Sequence, residues 1–70
     1  MTFAHATTTV CEFLGQEFMV SVREWEHELF TLQWICIPRR FSGTDFEHYR
    51  SFDEAHAAGV GLGRAAIAGV

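Results

Sequence analysis

The residues of this chain that could hold a metal or act as nucleophile and base are four histidines and two cysteines. Zinc sites usually show paired ligands two to four residues apart. Cys11 and Cys36 each stand alone, and His48 and His56 lie eight residues apart across a helix start. The spacing therefore predicts neither a metal site nor a cofactor, and it predicts two reduced cysteines in the core.

Nucleophilic catalysis would require a nucleophile with a base in reach and a group that orients the base. Cys36 could be paired with His48 or His56, and Ser51 with His48, but no spacing supports these pairs. A chain of 70 residues also offers little cleft in which to desolvate a substrate. We therefore expect a protein without enzymatic activity.

Three alternate glycines, Gly59, Gly61 and Gly63, could suggest a phosphate-binding loop. Such loops lie between a strand and a helix start, and this spacing matches neither the dinucleotide nor the Walker motif. The glycines instead fall inside a helical pattern. Gly59 and Gly63 would let that helix pack closely on a sheet. Gly61 would point away, so that either the helix bends there or a partner approaches its back.

The acidic segment 24–28, with the sequence EWEHE, is the most informative polar stretch. One interpretation is an acidic turn that keeps the protein in solution, with Trp25 folded back on the sheet. The other is an aromatic anchor ringed by carboxylates, of the kind that dominates interface energetics. Strand alternation supports the anchor, since it predicts a large apolar outer face made of Val10, Met19, Trp25, Leu29, Ile35 and Ile37. The predicted partner-binding residues are Glu24, Trp25, Glu26, Glu28, Met19 and Ile35.

The elements that must position these residues form a predicted α+β fold: a three-stranded antiparallel meander packed against one C-terminal helix, in the order β-β-β-α. Alternation with a period of two places Phe18, Val20 and Val22 on the core face. The same period places Cys11 and Phe13 of the first strand there, together with Phe30, Leu32, Trp34 and Cys36 of the third. The predicted strands are Thr7 to Phe13, Glu17 to Trp25 and Glu28 to Ile37.

The rest of the single domain divides into a loose N-terminus (1–6), a connecting segment (38–50) and a helix (51–69). The connection contains turn residues at 42–45, and its residues 46–50 form either a short extended piece, which we favour, or one helical turn. The helix begins with a capping box, Ser51 to Glu54. Its core-facing side is predicted to contain Phe52, Ala55, Gly59, Leu62, Gly63, Ala66, Ile67 and Val70.

Composition narrows the class of protein. No run approaches the roughly 20 apolar residues of a membrane span, and the N-terminus lacks the pattern of a secretory signal. Two free thiols fit a reducing cytoplasm. The net charge of −4 argues against direct nucleic-acid binding, which needs many lysines and arginines. We expect a cytoplasmic protein whose partner is another protein or a second copy in a homodimer.

The C-terminal segment carries a family resemblance. Ser51, Glu54, Ala55, Gly59, Gly63 and Ile67 fit the final helix of small uncharacterised proteobacterial and phage β-β-β-α proteins, although the closing Trp and Asp of that pattern are missing. This resemblance covers about a quarter of the chain and implies a fold and no activity. In size and acidity the chain is also similar to phage anti-CRISPR inhibitors, which occupy a surface of a nucleic-acid-handling complex.

The leading hypothesis is therefore a non-catalytic protein-binding module, most concretely an anti-CRISPR-like inhibitor of a basic, nucleic-acid-handling complex. An alternative is a small nucleic-acid-binding domain, because arginines and aromatic rings together can hold single strands. A dimeric structural module is a third hypothesis. The nucleic-acid alternative would use Arg39, Arg40, Arg50 and Tyr49, with Phe41 and Phe46 nearby.

Overall fold

The fold is an antiparallel sheet packed against one C-terminal helix, as the sequence predicts. The computed structural model describes residues 5–26 and 28–69. The elements are β1 His5–Phe13, β2 Gln16–Glu26, β3 Leu29–Ile37, β4 Phe41–Gly43, β5 His48–Tyr49 and α1 Phe52–Ala68. Strands β1, β2 and β3 are adjacent in the sheet, in that order, and β4 and β5 both pair with the other side of β3.

Strands β1 and β2 form a hairpin with a two-residue turn. Leu14 and Gly15 have φ values of 53° and 78°, and two successive positive φ values match the twist of a hairpin. Pairing continues from Phe13 opposite Gln16 to His5 opposite Glu24. Residues 5 and 6 therefore belong to β1, and the prediction of a loose segment through residue 6 is wrong for these two positions. Residues 1–4 lie outside the described part of the chain.

The segment after β3 forms an interrupted edge strand. The chain turns at 38–40, where the Arg40 N–H donates to the Ile37 carbonyl at 2.9 Å. Strand β4 then pairs with residues 35–37 of β3, and β5 pairs with residues 30–31. An extended piece is present as predicted, but only at 48–49. Ser42 and Gly43, predicted as turn residues, lie within β4.

Helix α1 begins and ends at local signals. The Ser51 hydroxyl accepts the Glu54 N–H at 3.1 Å, and the Glu54 carboxylate accepts the Arg50 N–H at 3.1 Å. Gly69 ends the helix with φ 79°, a left-handed value that glycine adopts without steric cost. The predicted N-terminal cap is confirmed.

The helix packs on the sheet through small residues. A Cβ added at Gly59 would lie 2.6 Å from Val20 Cγ1, and one added at Gly63 would lie 2.6 Å from Phe18 Cδ2. Close packing at these two glycines is confirmed. Leu62 is 38% exposed, so its predicted core position is wrong. At about 100° per residue, Leu62 lies about a quarter-turn from the Gly59–Gly63 line. Val60 contacts the core on the other side of that line.

A β-bulge in β3 reverses part of the predicted alternation. Ser21 pairs with Trp34, but the next residue of β2, Val22, pairs with Leu32, so Gln33 is an extra residue in β3. Leu32 lies in the core and so do Ile35 and Ile37, with 0% and 1% exposure for the two isoleucines. The predicted outward position of Ile35 and Ile37 is therefore wrong. Trp34 and Cys36, predicted in the core, lie on the opposite face because the extra residue shifts the period by one.

Candidate functional site

The sheet face opposite the helix, the outer face, is the candidate site. No other element of residues 5–26 and 28–69 covers it. Because of the bulge in β3, Trp34 and Cys36 lie on this face in place of the predicted Ile35. Together with Met19 and Ser42 they line a cavity of about 300 Å³. Met19 and Trp25 are on this face as predicted, whereas Ile35 lies beneath the helix. Val10 is also exposed as predicted.

Trp25 is held on the outer face by two contacts. It is the extra residue of a second bulge, because Glu24 pairs with Phe30 while Glu26 pairs with Leu29. Its indole N–H donates to Thr31 Oγ1 at 2.9 Å. The Arg23 guanidinium carbon lies 5.1 Å from the ring centroid, a cation–π contact. The side chain is folded back on the sheet and still 40% exposed, so it combines features of both interpretations of the tip.

A groove of about 300 Å³ runs beside Trp25. Trp25 lines it on the β2 side and Phe46 lines it from the β4–β5 connection. The lining also includes residues that donate or accept hydrogen bonds: Arg23, Thr31, Gln33, Thr44, Glu47 and His48. The groove therefore offers aromatic surface together with polar groups.

Phe46 is presented to solvent by a structured loop. The Thr44 hydroxyl donates to the Leu32 carbonyl at 2.6 Å and accepts the Phe46 N–H at 3.3 Å. Asp45 accepts the Glu47 N–H at 3.0 Å. These bonds hold Phe46 at φ 60°, a left-handed value that is uncommon for an aromatic residue, and leave its side chain 86% exposed.

Tyr49 is tied to the same loop, because its hydroxyl donates to the Asp45 carboxylate. That hydrogen bond, followed by burial and by the negative charges of Asp45 and Glu47, raises the pKa of Tyr49 to about 12. The phenol proton is therefore engaged within the protein, where it ties β5 to the loop.

A polar row crosses the middle of the outer face, and sequence reasoning missed it. The Ser21 hydroxyl donates to Gln33 Oε1 at 2.9 Å, and the Thr8 hydroxyl donates to Ser21 Oγ at 3.4 Å. Ser21 is buried although it is polar, and these bonds satisfy it. The sequence does contain a polar residue at each of these three strand positions, Thr8, Ser21 and Gln33. That the three lie side by side can be deduced only when the β3 bulge is known.

The acidic tip of the β2–β3 hairpin consists of residues 24–28. Glu24, Glu26 and Glu28 are exposed, while His27 lies outside the described residues. The pairing register places the tip, the 44–47 loop, β5 and the start of α1 in one half of the elongated molecule. That half holds two of the five arginines and seven of the nine acidic residues: Glu24, Glu26, Glu28, Asp45, Glu47, Asp53 and Glu54.

The structure does not bring the alternative nucleic-acid set together. Arg39 and Arg40 lie in the turn after β3, whereas Arg50 follows β5, which pairs with the opposite end of β3. Residues 30 and 37 of β3 are about 23 Å apart at 3.3 Å per residue. One single-stranded segment would have to cross the sheet, past the acidic 44–47 loop, to contact both groups.

The cysteines and the helix suggest no other kind of site. Cys11 and Cys36 are free thiols on opposite faces of the sheet, so the prediction that both lie in the core holds only for Cys11, which packs against it. The described residues contain no cluster of three His, Cys, Asp or Glu side chains able to hold a metal. In the same part of the chain, no helix has the length and apolar character needed to cross a membrane.

Comparison of the chain with protein-family models, with curated proteins and with solved structures found no match.

Proposed function

We propose that this protein is a non-catalytic protein-binding module that uses its outer face, centred on Trp25, to bind a partner with a basic surface. The observation that carries this proposal is that the Trp25 side chain is both fixed in orientation and exposed to solvent. Its ring is fixed by Thr31 and Arg23, remains 40% exposed, and borders a groove beside the acidic tip. A large aromatic side chain in that setting is the usual centre of a binding hot spot.

Fixing Trp25 before binding also lowers the cost of association. Ordering a flexible side chain at an interface costs about 0.5–1.5 kcal/mol. The Trp25 side chain is already ordered by its hydrogen bond to Thr31 and its contact with Arg23. At Phe46 the Thr44 and Asp45 turns fix the backbone and leave the ring 86% exposed. A partner therefore meets one aromatic side chain that is already ordered and a second that stands on a fixed backbone.

Charge defines the chemistry of the partner. Glu26 follows Trp25 and pairs with Leu29, whereas Glu24 pairs with the core-packed Phe30 and lies on the helix side of the sheet. The half of the molecule that contains both carries most of the acidic residues. Such a surface attracts a basic patch and disfavours acidic competitors. The most concrete form of the proposal is an inhibitor that occupies arginines and lysines meant for phosphate, as phage anti-CRISPR proteins do, on a nucleic-acid-handling complex.

The experiment is capture of a partner by tagged protein, followed by measurement of its affinity at low and moderate salt. Charge reversal at Glu26 should slow association and reduce its salt dependence, because charges at the rim of an interface steer more than they anchor. Arg39→Ala with Arg40→Ala should have little effect. If binding instead depends on that arginine pair and the captured molecule is nucleic acid, the proposal is wrong and the nucleic-acid alternative is correct.

A further inference from the structure

Strand β1 has a long regular edge that remains unpaired. All nine of its residues pair with β2, from His5 opposite Glu24 to Phe13 opposite Gln16, without a register shift. Its other edge pairs with no segment of residues 5–26 or 28–69. An edge of this kind presents a row of free backbone N–H and C=O groups that can accept another strand.

The opposite edge of the sheet is protected against pairing with another strand, whereas the β1 edge is not. That edge is divided into strands of three and two residues. Positive φ values at Arg39 and Phe46 bend the chain on either side of β4. Proteins block unwanted strand pairing with short edge strands, bulges, proline and lysine. Strand β1, HATTTVCEF, contains no proline, glycine, lysine or arginine, and its pairing has no bulge.

The helix leaves room beside β1. Helix α1 lies over β2 and β3 and has few contacts with β1. The polar contact that joins them is between the Thr9 hydroxyl and His56 Nε2 at 2.8 Å. His5 and Thr7, on the helix side of the strand, are exposed. A second strand could therefore approach β1 in the plane of the sheet without displacing the helix.

We propose that β1 is a self-association edge, where β1 of a second copy pairs antiparallel about a twofold axis through Thr9. In this register all nine residues of each strand are paired. Thr9 lies opposite its own counterpart, and cross-strand threonine pairs stabilise sheets. Thr7 lies opposite Cys11 of the second copy, and Thr8 lies opposite Val10. A shift by two residues in either direction would lose two of the nine pairs.

Charge favours a second copy in this register. Within one copy, exposed Glu12 and Glu17 lie directly opposite each other, which is unfavourable for like charges. In the dimer, Glu12 would lie opposite Ala6 of the second copy, and Ala6 is already paired with Arg23. Glu12 would then lie in the same row of side chains as Arg23 of the second copy. The two residues would be two strands apart, which is about 10 Å at the usual strand spacing. That distance is close to the Debye length, so the attraction is only partly screened.

The first test is the molecular mass of the protein in solution, by sedimentation over a range of concentrations. The wild-type protein should form a reversible dimer. Thr8→Lys with Val10→Lys should raise its dissociation constant about tenfold or more, because each lysine then faces a lysine of the second copy. Ala57→Lys with Ala65→Lys adds the same charge on exposed positions of the helix and should leave the dimer intact.

The second test determines the register. Thr7→Cys should form disulfide-linked dimers under mild oxidation, because it would face Cys11 of the second copy at a Cα distance suited to a disulfide. Within one chain the same two residues are about 13 Å apart along the strand and cannot be linked. Thr8→Cys lies on the outer face, away from Cys11, and is the matched control.

The proposal is overturned if the wild-type protein is monomeric at all concentrations and Thr7→Cys cross-links no faster than Thr8→Cys. It is also overturned if the wild-type protein dimerises and the Thr8→Lys, Val10→Lys variant dimerises equally well, since another surface would then form the dimer interface. Binding of a strand from a different protein to monomeric β1 would assign the edge to that partner. Trp25→Ala should not change the dimer, so a failure here is distinct from a failure of the proposed function.

Discussion

The close packing between helix and sheet predicts different changes in stability for two glycine-to-alanine substitutions only two residues apart. Gly61 faces open space, with no atom within 4 Å of an added Cβ. Gly63 faces the buried Phe18 ring, and an added Cβ would lie 2.6 Å from Phe18 Cδ2. Both substitutions gain the same helix propensity, about 1 kcal/mol for glycine to alanine. The difference between them therefore isolates packing.

The magnitude follows from the overlap. Carbon atoms in contact are normally about 3.5–4.0 Å apart, so the new methyl group at Gly63 would be about 1 Å too close to the ring. Phe18 is only 1% exposed, so its ring is enclosed by other atoms of the core. Overpacking of this kind costs about 1–3 kcal/mol. Gly61→Ala should thus stabilise the domain by about 1 kcal/mol, and Gly63→Ala should be less stable than it by about 1–3 kcal/mol.

The assay is equilibrium unfolding in urea, monitored by circular dichroism. Small domains lose about 1 kcal/mol of stability per molar urea, so the two midpoints should differ by about 1 M or more. Gly59→Ala should behave like Gly63→Ala, because Val20 and Leu32 confine that position. Equal stability of Gly61→Ala and Gly63→Ala would refute the close approach of α1 to β2.

Three further predictions concern burial, capping and titration. Ile35→Asp should prevent folding, because it places an unpaired charge in the core, whereas Leu62→Asp should leave a cooperative thermal transition by circular dichroism. Ser51→Ala should lower the free energy of unfolding by about 1 kcal/mol in urea denaturation, since it removes the acceptor for the Glu54 N–H. The pKa of Tyr49, the single tyrosine, should be about 12 by ultraviolet titration and should fall toward 10 in Asp45→Ala. Because the folded-state pKa is the higher one, the stability linked to the phenol is present below pH 10 and is lost as the pH rises through about 12.

The sequence contains strong signals for the architecture. Alternation in β2, the capping box at Ser51 and the small residues Gly59 and Gly63 are local patterns that the tertiary structure does not override. They were sufficient to predict the order of elements and the packing of the helix on the sheet.

The identity of the site residues depended on a feature without a local signal. The β3 bulge at Gln33 contains no glycine or proline, so nothing in the sequence marks the shift in alternation. One extra residue exchanges Ile35 for Trp34 on the outer face, because strand side chains have a period of two. Trp25 was predicted correctly on that face, beside Arg23. The groove could not be predicted, because Phe46 reaches it only through the turns at Thr44 and Asp45.

The central claim is that the exposed ring of Trp25 anchors a protein partner. Its most direct test is the affinity of Trp25→Ala for the captured partner, compared with Phe41→Ala. Phe41 is the matched control because its ring is 46% exposed, close to the 40% of Trp25, but it lies at the opposite end of the sheet. We predict that Trp25→Ala weakens binding by about 2 kcal/mol, or roughly 30-fold, with the fold intact, and that Phe41→Ala binds like the wild-type protein. Wild-type affinity of Trp25→Ala, or an equal loss in both variants, would contradict the claim.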